Sequence, residues 1–130
     1  MRRAPAAAAL AAAVLAGCGG GPSTQEQVRA TLDELGRATA AKDYQALCDK
    51  VYAPKLVEKL SQVGLPCEIA LQRALEDVEN PRLTIGKITI AEDEKSAKAE
   101  VRSSASGQAP SQDTLELVPV DDGWRVSSLG

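Results

Sequence analysis

At Asn80-Pro81 the hydrophobic pattern of this chain changes period, and that change restricts the fold more than any other feature. Before it, apolar residues recur every three to four positions; after it, they alternate. A proline cannot continue a helix, and the residue before it is pushed toward extended backbone. The chain must therefore be α+β, with its helices first and an antiparallel meander after them.

The helical half divides further. Ser23-Thr24-Gln25-Glu26 has the form of a capping box, and Val28, Leu32, Leu35 and Thr39 follow on one face, so a first helix is expected to about Ala41. Asp43 can cap a short second helix that buries Tyr44, Leu47, Cys48 and Val51. Pro54 suits the first turn of a third helix with Leu56, Val57 and Leu60 inward, stopped by Gly64 and Pro66. A fourth is expected over Cys67–Glu79, with Cys67, Ala70, Leu71, Ala74, Leu75 and Val78 as its apolar set.

In the second half Leu83 and Ile85 share one parity, and Ile88 and Ile90 the other. Gly86 stands at the switch, where a bulge would put all four on one face. Glu92-Asp93-Glu94 is a turn, and Ala97, Ala99 and Val101 alternate with charged residues on a second strand. Ser103 to Gln112 is polar, contains Gly107 and Pro110, and reads as a loop. Leu115 and Leu117 open a third strand to Val120. Asp121-Asp122-Gly123 turns the chain into a last strand carrying Trp124, Val126 and Ser128.

The start of the chain concerns place rather than fold. Arg2 and Arg3 precede an Ala/Leu/Val run from Ala6 to Ala16, the build of a secretory signal. That run is about a dozen residues, and a membrane-spanning helix needs about 20. Leu15-Ala16-Gly17-Cys18 resembles the lipobox of bacterial lipoproteins. The resemblance implies a diacylglyceryl group on the Cys18 thiol and cleavage between Gly17 and Cys18. The expected organisation is a signal peptide over 1–17, a lipidated cysteine and glycine-rich tether over 18–23, and one domain over 24–130. The partner implied is a membrane, at the extracytoplasmic face of the cell envelope, held through the lipid; the ordinary secretory signal with a chance cysteine is the alternative.

The chain has 130 residues, and loss of a 17-residue leader leaves 113, enough for one modest core. Formal charge is −3, and removal of Arg2 and Arg3 makes it −5. An acidic surface with two tyrosines, one tryptophan and no phenylalanine excludes nucleic acid as a partner, since phosphate binding needs basic faces and base stacking needs aromatics. With Cys18 lipidated, Cys48 and Cys67 are an even pair in an oxidising compartment and read as one disulfide; two free thiols or metal ligands are the alternative. The chain has no histidine, which weighs against a zinc site, and neither a metal nor a cofactor is expected beyond the lipid on Cys18.

Asp43 to Cys48 after a long first helix, and Val118 to Val126 with its Asp-Gly-Trp turn, resemble the nuclear transport factor 2-like (cystatin-like) fold. The chain is similar in particular to small actinobacterial lipoproteins of that superfamily, which pair a cysteine after the first helix with one at the start of a later helix. The resemblance implies a curved sheet wrapped on helices, sometimes with a pocket between them, and it covers isomerases, dehydratases and binding domains alike, so it does not settle function.

No catalytic motif stands out. Tyr44 and Tyr52 could donate to an oxyanion, and Glu68, Asp77 or Glu116 could act as bases; each also has a structural role open to it, as core packer, helix-terminus charge or solvated strand residue. Trp124 is expected to close the open end of the core, with ligand stacking as the alternative. Tyr44, Tyr52 and Trp124 are thus the candidate pocket residues. The expected function is a non-catalytic binding or accessory domain for an envelope protein or a small apolar ligand; the alternative is a small carboxylate–tyrosine enzyme.

Replacing Cys18 with Ala is expected to abolish incorporation of labelled palmitate and to shift the protein out of the membrane fraction. A processed, membrane-retained Cys18→Ala product would refute lipidation.

Overall fold

The computed structural model describes residues 21–62 and 64–129. The leader, Gly17 and Cys18 lie outside the described residues. Helix α1 runs over Thr24–Ala41. Its capping box is formed: the Ser23 hydroxyl accepts from the Glu26 amide at 3.1 Å, and the Ser23 amide donates to Glu26 Oε1 at 2.9 Å. These bonds satisfy amides that the first helical turn would otherwise leave unpaired. The buried stripe of α1 is Val28, Thr31, Leu32, Leu35 and Ala38.

Asp43 caps the next turn through its bond from the Ala46 amide, at 3.1 Å. That turn, α2, covers only Tyr44–Ala46 before it widens into a π-helical turn over Leu47–Val51. The expected second helix is thus present in place but not in uniform geometry. Helix α3 spans Pro54–Ser61 with its proline in the first turn.

Helix α4 spans Cys67–Leu75 and stops short of the expected Glu79. Its buried residues are Cys67 and Leu71, while Ala74 is exposed and Val78 lies in the turn beyond the helix. The periodicity that extended α4 to Glu79 is real, but Glu76-Asp77 has no core to face, so packing does not hold the last turn helical. A disulfide joins Cys48 to Cys67 and ties the π-helical turn to the first residue of α4. Closing a loop of 19 residues' separation is worth roughly 3 kcal/mol in the chain-entropy view.

The second half forms one antiparallel sheet in the order β1-β2-β3-β4, with β1 at Arg82–Ile90, β2 at Ala97–Ala105, β3 at Gln108–Val120 and β4 at Gly123–Ser128. The expected bulge is present: the register of β1 on β2 shifts between Ile85 and Ile88, so two residues, Gly86 and Lys87, oppose Glu100. A Cβ on Gly86 would sit 3.1 Å from the Glu100 carbonyl oxygen, which is why the bulge takes a residue without one. Leu83, Ile85, Ile88 and Ile90 consequently all pack against the core.

The stretch 103–112 is not a loop. It is the far half of the β2–β3 hairpin, paired to Ala105↔Gln108 and turned by Ser106-Gly107 alone, with Gly107 at φ 75°. Pro110 is accommodated by a second bulge, where Ala109 and Pro110 oppose Ser104. The third strand accordingly begins at Gln108 rather than Leu115.

The helices cover one face of the sheet. Ile88, Ala97, Ala99, Val101, Leu115, Leu117, Trp124 and Val126 meet the stripe of α1 and Leu47, Val51, Leu56 and Leu71 in one cluster. Strand β4 lies at the sheet edge. Two of its carbonyls are taken by the helical half: Ala53 donates to Val126 O at 2.7 Å, and Thr31 Oγ1 donates to Trp124 O at 2.8 Å.

Substituting Thr31 with the isosteric Val removes the buried bond to Trp124 and leaves that carbonyl only the longer bond, 3.3 Å, from Arg125. The expected loss is about 1 kcal/mol. It should appear as a fall of about 5 °C in thermal midpoint; an unchanged midpoint would show that the bond contributes nothing net.

Candidate functional site

The concave face of the sheet changes character along β2 and β3. Near β4 it is apolar and filled. Toward the hairpin tip the same face carries Ser103 beside Ser111, then Asp113 opposite Val101. Side chains two residues apart on a strand share a face, so Asp113 is on the inward side with Leu115. No helix packs tightly there, and a cleft of about 410 Å³ opens between the tip half of the sheet, the middle of α1 and α4 with the turn beyond it.

Its walls are mostly apolar. Leu35 and Gly36 come from α1, Leu71 and Leu75 from α4, and Leu83, Val101 and Leu115 from the sheet. Gly36 brings α1 close to β1, since a Cβ there would lie 3.5 Å from Leu83 Cβ. Apart from Thr39 of α1, the polar groups collect at the outer end. Ser103 and Ser111 hydroxyls share a hydrogen bond of 3.0 Å across the strands, and Gln108 and Asp113 stand beside them. Arg82 and the exposed Leu129 complete the rim. The mouth is tied by polar contacts: the Ser106 amide donates to Glu79 O at 2.8 Å, and Asn80 Nδ2 donates to Ser106 Oγ at 2.9 Å.

Of the tyrosines and tryptophan singled out from sequence, Tyr52 lines this cleft. It follows the π-helical turn and bridges Val126 in parallel register, so its side chain leaves the backbone on the same side as Val126, toward the interior. It is 6 % exposed, and its hydroxyl makes no hydrogen bond to a described residue. Burial pushes its phenol above the ordinary value, because the phenolate would lose its hydration there. Tyr44 is half-buried against the core and does not line the cleft. Trp124 is 4 % exposed, within the core cluster, and is also absent from the cleft walls.

Glu68, Asp77 and Glu116 are all exposed and outside the cleft. Glu68 is in the first turn of α4, and Glu116 pairs with Lys98 on the far face of the sheet. The carboxylate that does reach the cleft, Asp113, was not anticipated. The signal was available: the inward parity of Leu117 and Leu115 passes next to Asp113 and then Ser111. Opening the third strand at Leu115 ended that parity too early.

A shallower groove lies where Cys48, Pro54 and Val57 face the β3–β4 turn, with Asp49, Glu58, Asp121 and Asp122 on its margins. Among the described residues no three Cys, Asp or Glu side chains converge in a way that could hold a metal, and no helix is long and apolar enough to cross a membrane.

Alkaline titration followed by tyrosinate absorbance is expected to show a component ionising above the ordinary phenol value of about 10, absent from Tyr52→Phe. The sign for stability follows. The unfolded chain ionises first, so this contribution is present below about pH 10 and is lost as pH rises toward the higher folded value. Titration of all phenols together at the ordinary value would contradict the burial.

No protein-family model and no curated protein matches the chain. Two solved structures resemble it. One is the Kfla4162 protein from Kribbella flavida, with 18 % identity and a TM-score of 0.57 over 81 % of this chain and 86 % of that one. The other is a candidate dehydratase of the NTF2-like family from Streptomyces avermitilis, with 10 % identity and a TM-score of 0.52 over 82 % and 96 %. At these identities the likeness is one of architecture: helices followed by a curved four-stranded antiparallel sheet, the α+β fold of the NTF2-like proteins.

Proposed function

We propose that this chain is a lipoprotein of the cell envelope, anchored at the extracytoplasmic face by a diacylglyceryl group on Cys18, and that its NTF2-like domain binds a small, mainly apolar ligand in the cleft between α1, α4 and the β2–β3 hairpin. The leader and lipobox support the anchor. Two acyl chains suffice for stable membrane attachment, and the tether that begins after Cys18 keeps a mildly acidic domain clear of the bilayer.

The observation that supports binding is the cleft itself. Its volume, about 410 Å³, is in the range of small-molecule sites, and its walls are apolar with a few polar groups gathered at one end. The titratable side chains that line it are Tyr52, Arg82 and Asp113. General acid–base chemistry needs a donor and an acceptor placed on one substrate, and Tyr52, Arg82 and Asp113 come to the cleft from three separate elements. The role we propose is accessory: ligand capture close to the membrane, with delivery to or sensing by another envelope protein.

A small enzyme is the second reading. It is favoured by the presence of one carboxylate, Asp113, and one phenol, Tyr52, in the same cleft, and by the neighbour described as a candidate dehydratase.

Ala74 is exposed yet lines the cleft, so Ala74→Trp should fill the cleft without disturbing packed core. Native mass spectrometry of the mature lipidated protein extracted from its membrane is expected to show a small-molecule adduct on wild type and none on Ala74→Trp. Equal occupancy of both proteins would overturn the assignment. Turnover of the extracted compound, abolished by Asp113→Asn, would decide for the enzyme.

A further inference from the structure

Tyr52 is unusual among the buried polar groups of this protein. Thr31, the other buried polar side chain with a hydroxyl, has its bond to Trp124 O. The Tyr52 hydroxyl has no such partner among the described residues, although the residue is 6 % exposed and lines the cleft among Leu71, Val101 and Leu115. A buried donor without an acceptor costs free energy, and buried hydroxyls are as a rule paired. Phenylalanine would fill the same space without that cost.

We infer that the Tyr52 hydroxyl is the recognition donor at the inner end of the cleft, selecting ligands that carry an acceptor oxygen, such as a ketone or ester carbonyl, on an apolar body. The assignment rests on the cleft being a binding site. It adds a direction to it. The inner end offers a donor, and the walls beyond it are apolar apart from Thr39 of α1. The outer end offers the Ser103–Ser111 pair, Gln108 and Asp113, which accept from hydroxyl groups. A ligand that matches has its carbonyl inward, its hydrocarbon in the middle and any hydroxyl at the mouth. Selectivity arises because a hydrocarbon analogue of the same shape would leave the Tyr52 donor buried and unpaired.

The test uses two probes of closely matched shape, 2-acetylnaphthalene and 2-isopropenylnaphthalene, in which a CH2 group replaces the carbonyl oxygen. Each is equilibrated by dialysis against the mature lipidated protein in lipid nanodiscs, with empty nanodiscs subtracted. Wild type is expected to bind the ketone about tenfold more tightly than the hydrocarbon, the size of one hydrogen bond. Tyr52→Phe is expected to lose that preference while binding the hydrocarbon at least as well. Its unfolding midpoint should be unchanged or higher, since an unpaired hydroxyl is removed. Equal binding of both probes by wild type, or a preference that survives in Tyr52→Phe, would overturn the role of Tyr52 and leave the cleft as an apolar site. Binding of neither probe by wild type would overturn the binding assignment together with this one. A lowered midpoint in Tyr52→Phe would show that the hydroxyl is already satisfied within the protein, and would also refute the inference.

Discussion

Strand β4 is the seam along which the two halves of this protein are joined. It is an edge strand, and an edge leaves a row of backbone groups without partners. Here the helical half supplies partners: Ala53 N–H for the Val126 carbonyl, and the Thr31 hydroxyl for the Trp124 carbonyl. Both bonds lie over the best-packed part of the core, where Val28, Leu47 and Val126 have no exposure. The seam therefore closes the helices onto one end of the sheet. Helix α1 packs on both edge strands, β4 and β1, while the tip of the curved β2–β3 hairpin between them stands away from the helices. The cleft is what remains between them.

The disulfide acts on the same geometry. Cys67 is the first residue of α4, and α4 forms one wall of the cleft through Leu71 and Leu75. Its packing partners are the π-helical turn, α2 and α3 rather than the tip of the sheet. Joining Cys48 to Cys67 holds the start of that wall to the segment that ends in Tyr52. Across the mouth, the far end of the wall is held by exposed polar bonds from Asn80 and Glu79 to Ser106. Such bonds contribute little in water, so the wall is firm at Cys67 and weakly tied at Asn80.

Much of this arrangement was legible in the chain. The capping box at Ser23, the proline of α3, the bulge at Gly86 and the Asp-Gly turn before Trp124 each follow from a local rule, and each is found where that rule puts it. The pairing of Cys48 with Cys67 was legible too. The failures cluster around the cleft. Residues 103–112 form paired strands, yet their inward side carries serines, with Asp113 next in the same row, because it faces an opening and not a packed core. Strand patterns are recognised by alternation of apolar and polar side chains. Where a sheet lines an open cleft, that alternation disappears, and a strand looks like a loop. The end of α4 failed in the opposite way: Val78 keeps helical spacing, but its apolar surface lines the cleft from a turn.

By itself, the sequence determined the order and type of the elements and the cysteine pair, because caps, turns and periodicity act within a few residues. It also contains the lipobox-like segment ending in Cys18, a short motif that needs no fold to be recognised. Only the tertiary structure decided which side chains meet. It sent Tyr52 inward through one bridge to Val126, left Tyr44 and Trp124 to the core, and brought in Asp113 from a stretch that looked unstructured. Those outcomes depend on contacts between residues far apart in the chain, such as Tyr52 with Val126, and no local rule reaches that far.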